Sequence, residues 1–228
     1  MIQENRFAAE IFVQQLTSGG GKSLIEIAST LTGGPFSANI GLRKFDEHSR
    51  FVYASEFQRN LSPAFKHFQT LDELSQRLRQ YKNHFDIAFV DPWHELLGSL
   101  QAIAIGIHAL KCNAILVVHD CFPLDESLRA VEPPDVSITP WSGSTWLAWS
   151  LITAELKDDH DWMTINADHG IGVLRIPKSR SDKRKLLKLI HALYTRVSKE
   201  QFISGIWDDN PEHLHLVTPD DPKVAAWA

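Results

Sequence analysis

Residues 85–97 read FDIAFVDPWHELL, an apolar run that stops at an acid, a proline, a tryptophan and a histidine. With Asp86 its only polar member, FDIAFV has the near-continuous apolar pattern of a strand buried on both faces, as in a parallel sheet. The following stretch, HELLGSLQAIAIGIHAL at residues 94–110, reads as a helix. A second apolar run, AILVVH at residues 114–119, ends the same way, in His119-Asp120. Turn chemistry accounts for an aspartate and a proline after a strand. It does not ask for a histidine beside the acid at each of two strand ends.

Outward from these runs the chain alternates strand-like and helix-like segments, which predicts an α/β fold with a mostly parallel, Rossmann-like sheet. SLIEIA (23–28), RFVYAS (50–55) and FKHF (65–68) supply three strands before FDIAFV. TLDELSQRLRQY (70–81) supplies a helix with Thr70 as its N-cap. STWLAWSLITAEL reads as a helix capped by Ser144, and WMTINADHGIGVLRI as an antiparallel hairpin around a tight turn at 167–170. The count is seven strands, then a basic helix over 181–198 and an irregular tail. The expected organisation is one domain over 1–228, with an N-terminal helix in 1–18, a core at 23–176, and a C-terminal helix and tail at 177–228.

Composition narrows the classes. The 228 residues are 43% hydrophobic and carry a net charge of −5, which suits one globular core and argues against a nucleic-acid partner. The basic run SRSDKRKLLK reads as a solvated helix face. The two cysteines, Cys112 and Cys121, have no disulfide or thiolate-zinc spacing, which fits a reducing cytoplasm. The N-terminus lacks the pattern of a secretion signal, and no run is long enough to span a membrane. GGGKS at 19–23 is no phosphate loop, because Leu16 stands where that motif needs glycine and the run precedes its strand. A homo-oligomer is left open.

In an open α/β sheet, ligands sit beyond the carboxyl ends of the strands, so Ser29, Glu56, residues 91–94 and His119-Asp120 should converge. Asp91, His119 and Asp120 are oxygen and imidazole donors suited to a divalent ion such as Mg2+ or Mn2+. His94, three residues past Asp91 and one turn into the expected helix, is placed as general base for a bound hydroxyl. Trp93 and Trp141 are candidate walls of an acceptor pocket. Taken singly, each residue has a plainer reading: Asp91 as an N-cap, His94 as a first-turn histidine, the tryptophans as core. His169, His213 and His215 read as surface residues.

The stretch FDIAFVDPWHELLGSLQAI, with ALKCNAILVVHDCFP, PWSGSTWLAWSLI and NADHGIGVLRI, resembles class I S-adenosylmethionine-dependent methyltransferases. The likeness is to the small bacterial group associated with sugar, polysaccharide and natural-product pathways, over residues 23–176. It implies a seven-stranded sheet with a C-terminal antiparallel hairpin, and O-methylation of a hydroxylated small-molecule acceptor. It implies S-adenosylmethionine held by Glu26, Ala28, Ser29, Glu56 (ribose), Asp72 (adenine) and Asp91. It also implies a metal at Asp91 and Asp120 with neighbouring His119, and His94 as base. Where the group carries a glycine-rich turn, this chain has Glu26-Ile27-Ala28-Ser29-Thr30, with Gly33-Gly34 arriving late. The alternative is therefore a non-catalytic binding or partner protein that keeps the fold with a degenerate cofactor loop; a metal-dependent hydrolase is a third reading.

Overall fold

The computed structural model describes residues 9–16, 22–29, 47–53, 66–68, 70–129, 141–156, 160–199 and 214–227. In chain order the elements are α1 (Ala9–Leu16), β1 (Ser23–Ser29), β2 (Glu47–Tyr53), β3 (Lys66–Phe68), α2 (Leu71–Leu78), β4 (Phe85–Asp91), α3 (Leu96–Ala109) and β5 (Leu110–Val118). They continue with α4 (Thr145–Glu155), β6 (Trp162–Ile165), β7 (Ile171–Arg175), α5 (Arg180–Lys199), β8 (Leu216–Val217) and α6 (Pro222–Trp227). The sheet order is β3-β2-β1-β4-β5-β7-β6-β8. Its first five positions follow the doubly wound order, with the switch point between β1 and β4. β7 runs antiparallel to both β5 and β6, which is the expected hairpin.

The expectation of seven strands and an irregular tail is corrected by β8 and α6. β8 pairs parallel with β6 through Thr164 to Leu216 and Ile165 to Val217. Two residues are too few to show a period-2 pattern, so this strand leaves no mark in the sequence. α6 returns Val224 and Trp227 to the core, with the Arg175 guanidinium 4.4 Å from the Trp227 ring centroid.

Alternation along the strands splits the core into two layers. On one face, Ile25, Ile27, Ala88, Val90, Leu116 and Val118 pack under α2 to α5. On the other, Leu24, Ile87, Phe89, Ile115 and Val117 meet Phe12 and Val13 of α1 and Trp227 of α6. α3 can lie close on β4 and β5 because Gly106 has no side chain: a Cβ there would fall 3.1 Å from Val90 Cγ2 and 3.3 Å from Leu116 Cδ1.

Local capping follows the sequence at α2 but not at α4. Thr70 Oγ1 accepts the Glu73 amide at 3.2 Å. Ser144 stands at the N-cap of α4 without a side-chain cap bond. The buried Lys183 clips α5 to the end of α3, its ammonium donating to Asn83 Oδ1 at 2.7 Å and to the carbonyls of His108 and Leu110.

α4 seats against the hairpin through Trp149, whose Nε1 donates to Thr164 Oγ1 at 2.8 Å. Gly172 on β7 makes that contact possible, since a Cβ there would lie 2.7 Å from both Cys121 Sγ and Trp149 Cε2. Gly172→Ala should therefore overpack the α4–β7 contact and cost about 1–3 kcal/mol in urea-unfolding midpoint measurements. An unchanged midpoint would show that α4 moves freely on the sheet.

Candidate functional site

The site forms where the two central strands end. β1 and β4 finish side by side, with Ala28 in register with Asp91. β5 runs parallel on the other side of β4, and His119 N continues that ladder by donating to Val90 O at 3.0 Å. Asp120 then turns with φ 59°, a left-handed conformation that aspartate tolerates better than most residues. Asp91 and Asp120 thus arrive as buried carboxylates at adjacent strand ends.

His94 reaches them by a different route from the expected one. α3 begins at Leu96 with Glu95 as N-cap, so residues 92–94 are a loop and His94 is not one turn into the helix. The reason is local. Pro92 restrains the chain, Glu95 N donates to Trp93 O at 2.7 Å, and His94 O accepts Ser144 N at 2.7 Å rather than a helical amide. Gly143 (φ 50°) closes over the same residue, for a Cβ there would fall 2.3 Å from His94 O and 2.5 Å from His94 Cβ. Only glycine fits this approach.

Two imidazoles share two carboxylate oxygens. His94 Nε2 lies 2.9 Å from Asp120 Oδ2 and 3.7 Å from Asp91 Oδ1. His119 Nδ1 lies 3.2 Å and 3.6 Å from the same two oxygens. Nitrogen and oxygen therefore alternate around one point. Among the described residues, Asp91 Oδ1 and both His94 ring nitrogens are buried without a partner in hydrogen-bond geometry. Among the described residues, Asp91, His94 and Asp120 each present a donor atom within 4.8 Å of the others. Ligands at right angles on an ion with bonds of about 2.1 Å stand about 3.0 Å apart, so this spacing suits a divalent cation.

Further contacts fix the set. Ser142 Oγ donates to Asp120 Oδ1 at 2.7 Å, and His119 Nε2 lies 3.2 Å from Asp168 Oδ2 in the β6–β7 turn. Neither Ser142 nor Asp168 was marked as a site residue by the sequence. Ser142 sits beside the noticed Trp141, and Asp168 reads as a turn former. Trp141 is turned inward, 7% exposed, its ring 5.3 Å from that of His94. Trp93, half-buried, meets Trp141 edge-on at 5.0 Å and donates from Nε1 to Glu95 Oε1.

The other expected positions separate. Glu26 is fully buried in β1, and Ala28 and Ser29 are buried at that strand's end. Asp72 is not brought to the set: it is exposed in the first turn of α2 and accepts from Gln101 Nε2 at 2.7 Å. It lines a cavity of about 390 Å³ with Leu78, Ala104 and Ile190, between α2, α3 and α5. Glu56, Thr30, Gly33, Gly34 and His213 lie outside the described residues. His169 and His215 are exposed, the latter stacked on Trp162 at 4.1 Å.

Electrostatics bind the set together. Burial works against a charged His94, yet Asp120 and Asp91 outweigh it and raise the ring to about 9. His119 is raised well above its ordinary value in the same way, with Asp168 contributing. Burial opposes charge on the two acids as well, and the histidines overcome it, lowering Asp91 and holding Asp120 well below the usual carboxylate range. His94 thus holds a proton at neutral pH in the metal-free protein. It can act as a base there only where a cation held by the neighbouring carboxylates lowers the ring again and frees it of that proton.

No family model and no curated protein matches the chain. Solved structures do. A protein from Corynebacterium glutamicum is 13% identical, with a TM-score of 0.46, over 75% of this chain and 81% of that one. The MycE methyltransferase of the mycinamycin biosynthetic pathway, in complex with Mg and SAH, is 15% identical with a TM-score of 0.45, over 75% of this chain. The chain spans about half of that protein's length, 49%. Among the described residues, no helix is long and apolar enough to cross a membrane.

A raised folded-state pKa stabilises the protein fully below the unfolded value of 6.5, and that contribution is lost as pH rises through about 9. Without divalent ions, the protein should therefore lose stability between pH 6.5 and 9. His94→Gln should be less stable at pH 6 and flatter across this window in urea unfolding. Parallel profiles for the two proteins would place the charge elsewhere.

Proposed function

We propose that this chain is an S-adenosylmethionine-dependent O-methyltransferase, assisted by Mg2+ or Mn2+, acting on a hydroxyl of a sugar or small natural product. One observation carries the reading: two carboxylates and two imidazoles alternate around a single point at the carboxyl ends of β4 and β5, beside the β1–β4 switch point. The sequence resemblance agrees with it, since the residues it selects as metal and base positions are the ones that meet here.

When bound, the cofactor would supply an electrophilic methyl group and the ion would make the acceptor hydroxyl more acidic. The chain's own residues divide the remaining work. Asp91, Asp120 and His119, the last tied back to Asp168, are assigned to the ion. His94, beside the half-buried Trp93, is assigned the acceptor's proton, which its carboxylate neighbours help it retain. Trp93 and Trp141 flank His94 and would exclude water from it. Glu26, Ala28, Ser29 and Glu56 remain the assigned cofactor contacts; the adenine role of Asp72 loses support from its position on α2.

A second reading is favoured by closure: Asp91, His94 and Asp120 are 9%, 3% and 4% exposed, beneath Trp141 and Gly143. A non-catalytic protein that keeps this set as a buried ionic brace would look the same. Calorimetric titration with S-adenosylhomocysteine, with and without Mn2+, separates the two. The enzyme reading expects saturable binding of the nucleoside. It also expects Asp120→Ala to abolish stabilisation by Mn2+ while nucleoside affinity stays within about threefold, the tolerance for separate sites. Mn2+ binding without nucleoside binding would favour a metal-dependent hydrolase, and binding of neither would leave the non-catalytic protein.

A further inference from the structure

Asp168 occupies the turn between β6 and β7, far from the strand ends in sequence, and its carboxylate is not spent on the turn. An aspartate in a turn commonly caps backbone two residues on. Here Gly170 N donates to Ala167 O at 2.8 Å, so the turn closes through its own backbone. Asp168 Oδ2 instead reaches His119 Nε2 at 3.2 Å and accepts the Ala9 amide, the first of α1, at 2.9 Å.

The turn is held in a costly shape at this point. Asp168 and His169 both have positive φ, 50° and 59°. Consecutive left-handed residues other than glycine are strained and persist where surrounding contacts fix them. Those contacts come from the loop that carries the site: Cys121 N donates to Gly170 O at 2.9 Å, and Phe122 N to His169 O at 2.8 Å. Gly170 (φ 89°) permits the approach, because a Cβ there would lie 2.1 Å from Phe122 N. The β6–β7 turn and the β5 loop are thus locked backbone to backbone, with Asp168 facing His119.

We propose that Asp168 is a positioning residue for the ion site, acting through His119; this rests on the ion reading above. With Nε2–H donated to Asp168, His119 keeps one ring orientation and tautomer, and Nδ1 presents its lone pair to the point shared by Asp91 Oδ1 and Asp120 Oδ2. A carboxylate behind a ligating imidazole is a general device for fixing such a ring, and its loss typically weakens metal binding by about 10- to 100-fold. The consequence for chemistry is a second imidazole committed to the ion, which favours Mn2+ over Mg2+.

The test is Mn2+ affinity by calorimetry in the full chain. Asp168→Ala should weaken binding by about 10- to 100-fold, and Asp168→Asn, which keeps an acceptor oxygen, by less. In a His119→Ala background, Asp168→Ala should cause no further loss beyond about twofold, because its route is gone. Ala9→Pro removes only the α1 amide, at a first helical position where proline is tolerated, and should leave Mn2+ affinity within about twofold. Wild-type affinity in Asp168→Ala would overturn the proposal. So would an undiminished loss in the His119→Ala background, or an Ala9→Pro protein as weak as Asp168→Ala, since the effect would then belong to α1 docking. If the wild-type protein binds no Mn2+, the ion reading falls and the role of Asp168 falls with it, whereas Mn2+ binding indifferent to Asp168 removes this inference alone.

Discussion

Two carboxylates, Asp91 and Asp120, are buried at the ends of neighbouring strands, and this is the constraint that the surrounding structure answers. Buried charge is tolerated only when it is paired and hydrogen-bonded. Pairing here comes from His94 and His119, each set against the same two oxygens, and Ser142 satisfies the remaining oxygen of Asp120. Each partner then imposes a demand of its own. His94 must leave the helix register, so residues 92–94 are a loop clamped by Ser144 and Gly143. His119 must have its far nitrogen satisfied, which brings in Asp168, the hairpin turn and the start of α1.

On the proposed reading, a proton and a cation would compete for one place. In the metal-free protein the histidinium charges balance the acids and hold the strand ends together. A divalent ion would do the same with more charge and with lone pairs in place of N–H bonds. On the proposed reading the strands need not rearrange to take an ion, since Asp91, His94 and Asp120 present donors within 4.8 Å of one another and His119 Nδ1 lies 3.2 Å and 3.6 Å from the same two carboxylate oxygens. The aromatic cover matters for the same reason. Trp141 and Trp93 lower the local dielectric around His94, which strengthens both the ion pairs and any field felt by a bound hydroxyl.

Much of this was legible in the chain. FDIAFV and AILVV carry the unbroken apolar pattern of central parallel strands, and the acid-histidine pairs after them mark the strand ends that meet. Thr70 announced its helix because a cap is a local interaction. What depended on distant partners was not legible. The helical period of residues 94–110 hid a start at Leu96, since the bond from Ser144 to His94 is invisible from either segment alone. β8 is too short to have a period, and it exists because β6 offers an edge. Asp168 looked like an ordinary turn residue because the turn does accept aspartate, while its partners lie at positions 119 and 9. Trp141, expected at a pocket wall, is interior, because tertiary packing buries it against His94 and Trp93.

Proton release on ion binding tests the central claim most directly. Mn2+ titrated at pH 7 in buffers of differing ionisation enthalpy reports how many protons leave as the ion enters. Because the neighbouring acids raise His94 to about 9 and His119 well above its ordinary value, both rings are charged beforehand. The account predicts the release of about one to two protons per ion, lost together with Mn2+ binding in Asp120→Ala. Mn2+ binding with no proton release would contradict it, because the ion would then sit away from the Asp91, His94, His119 and Asp120 set.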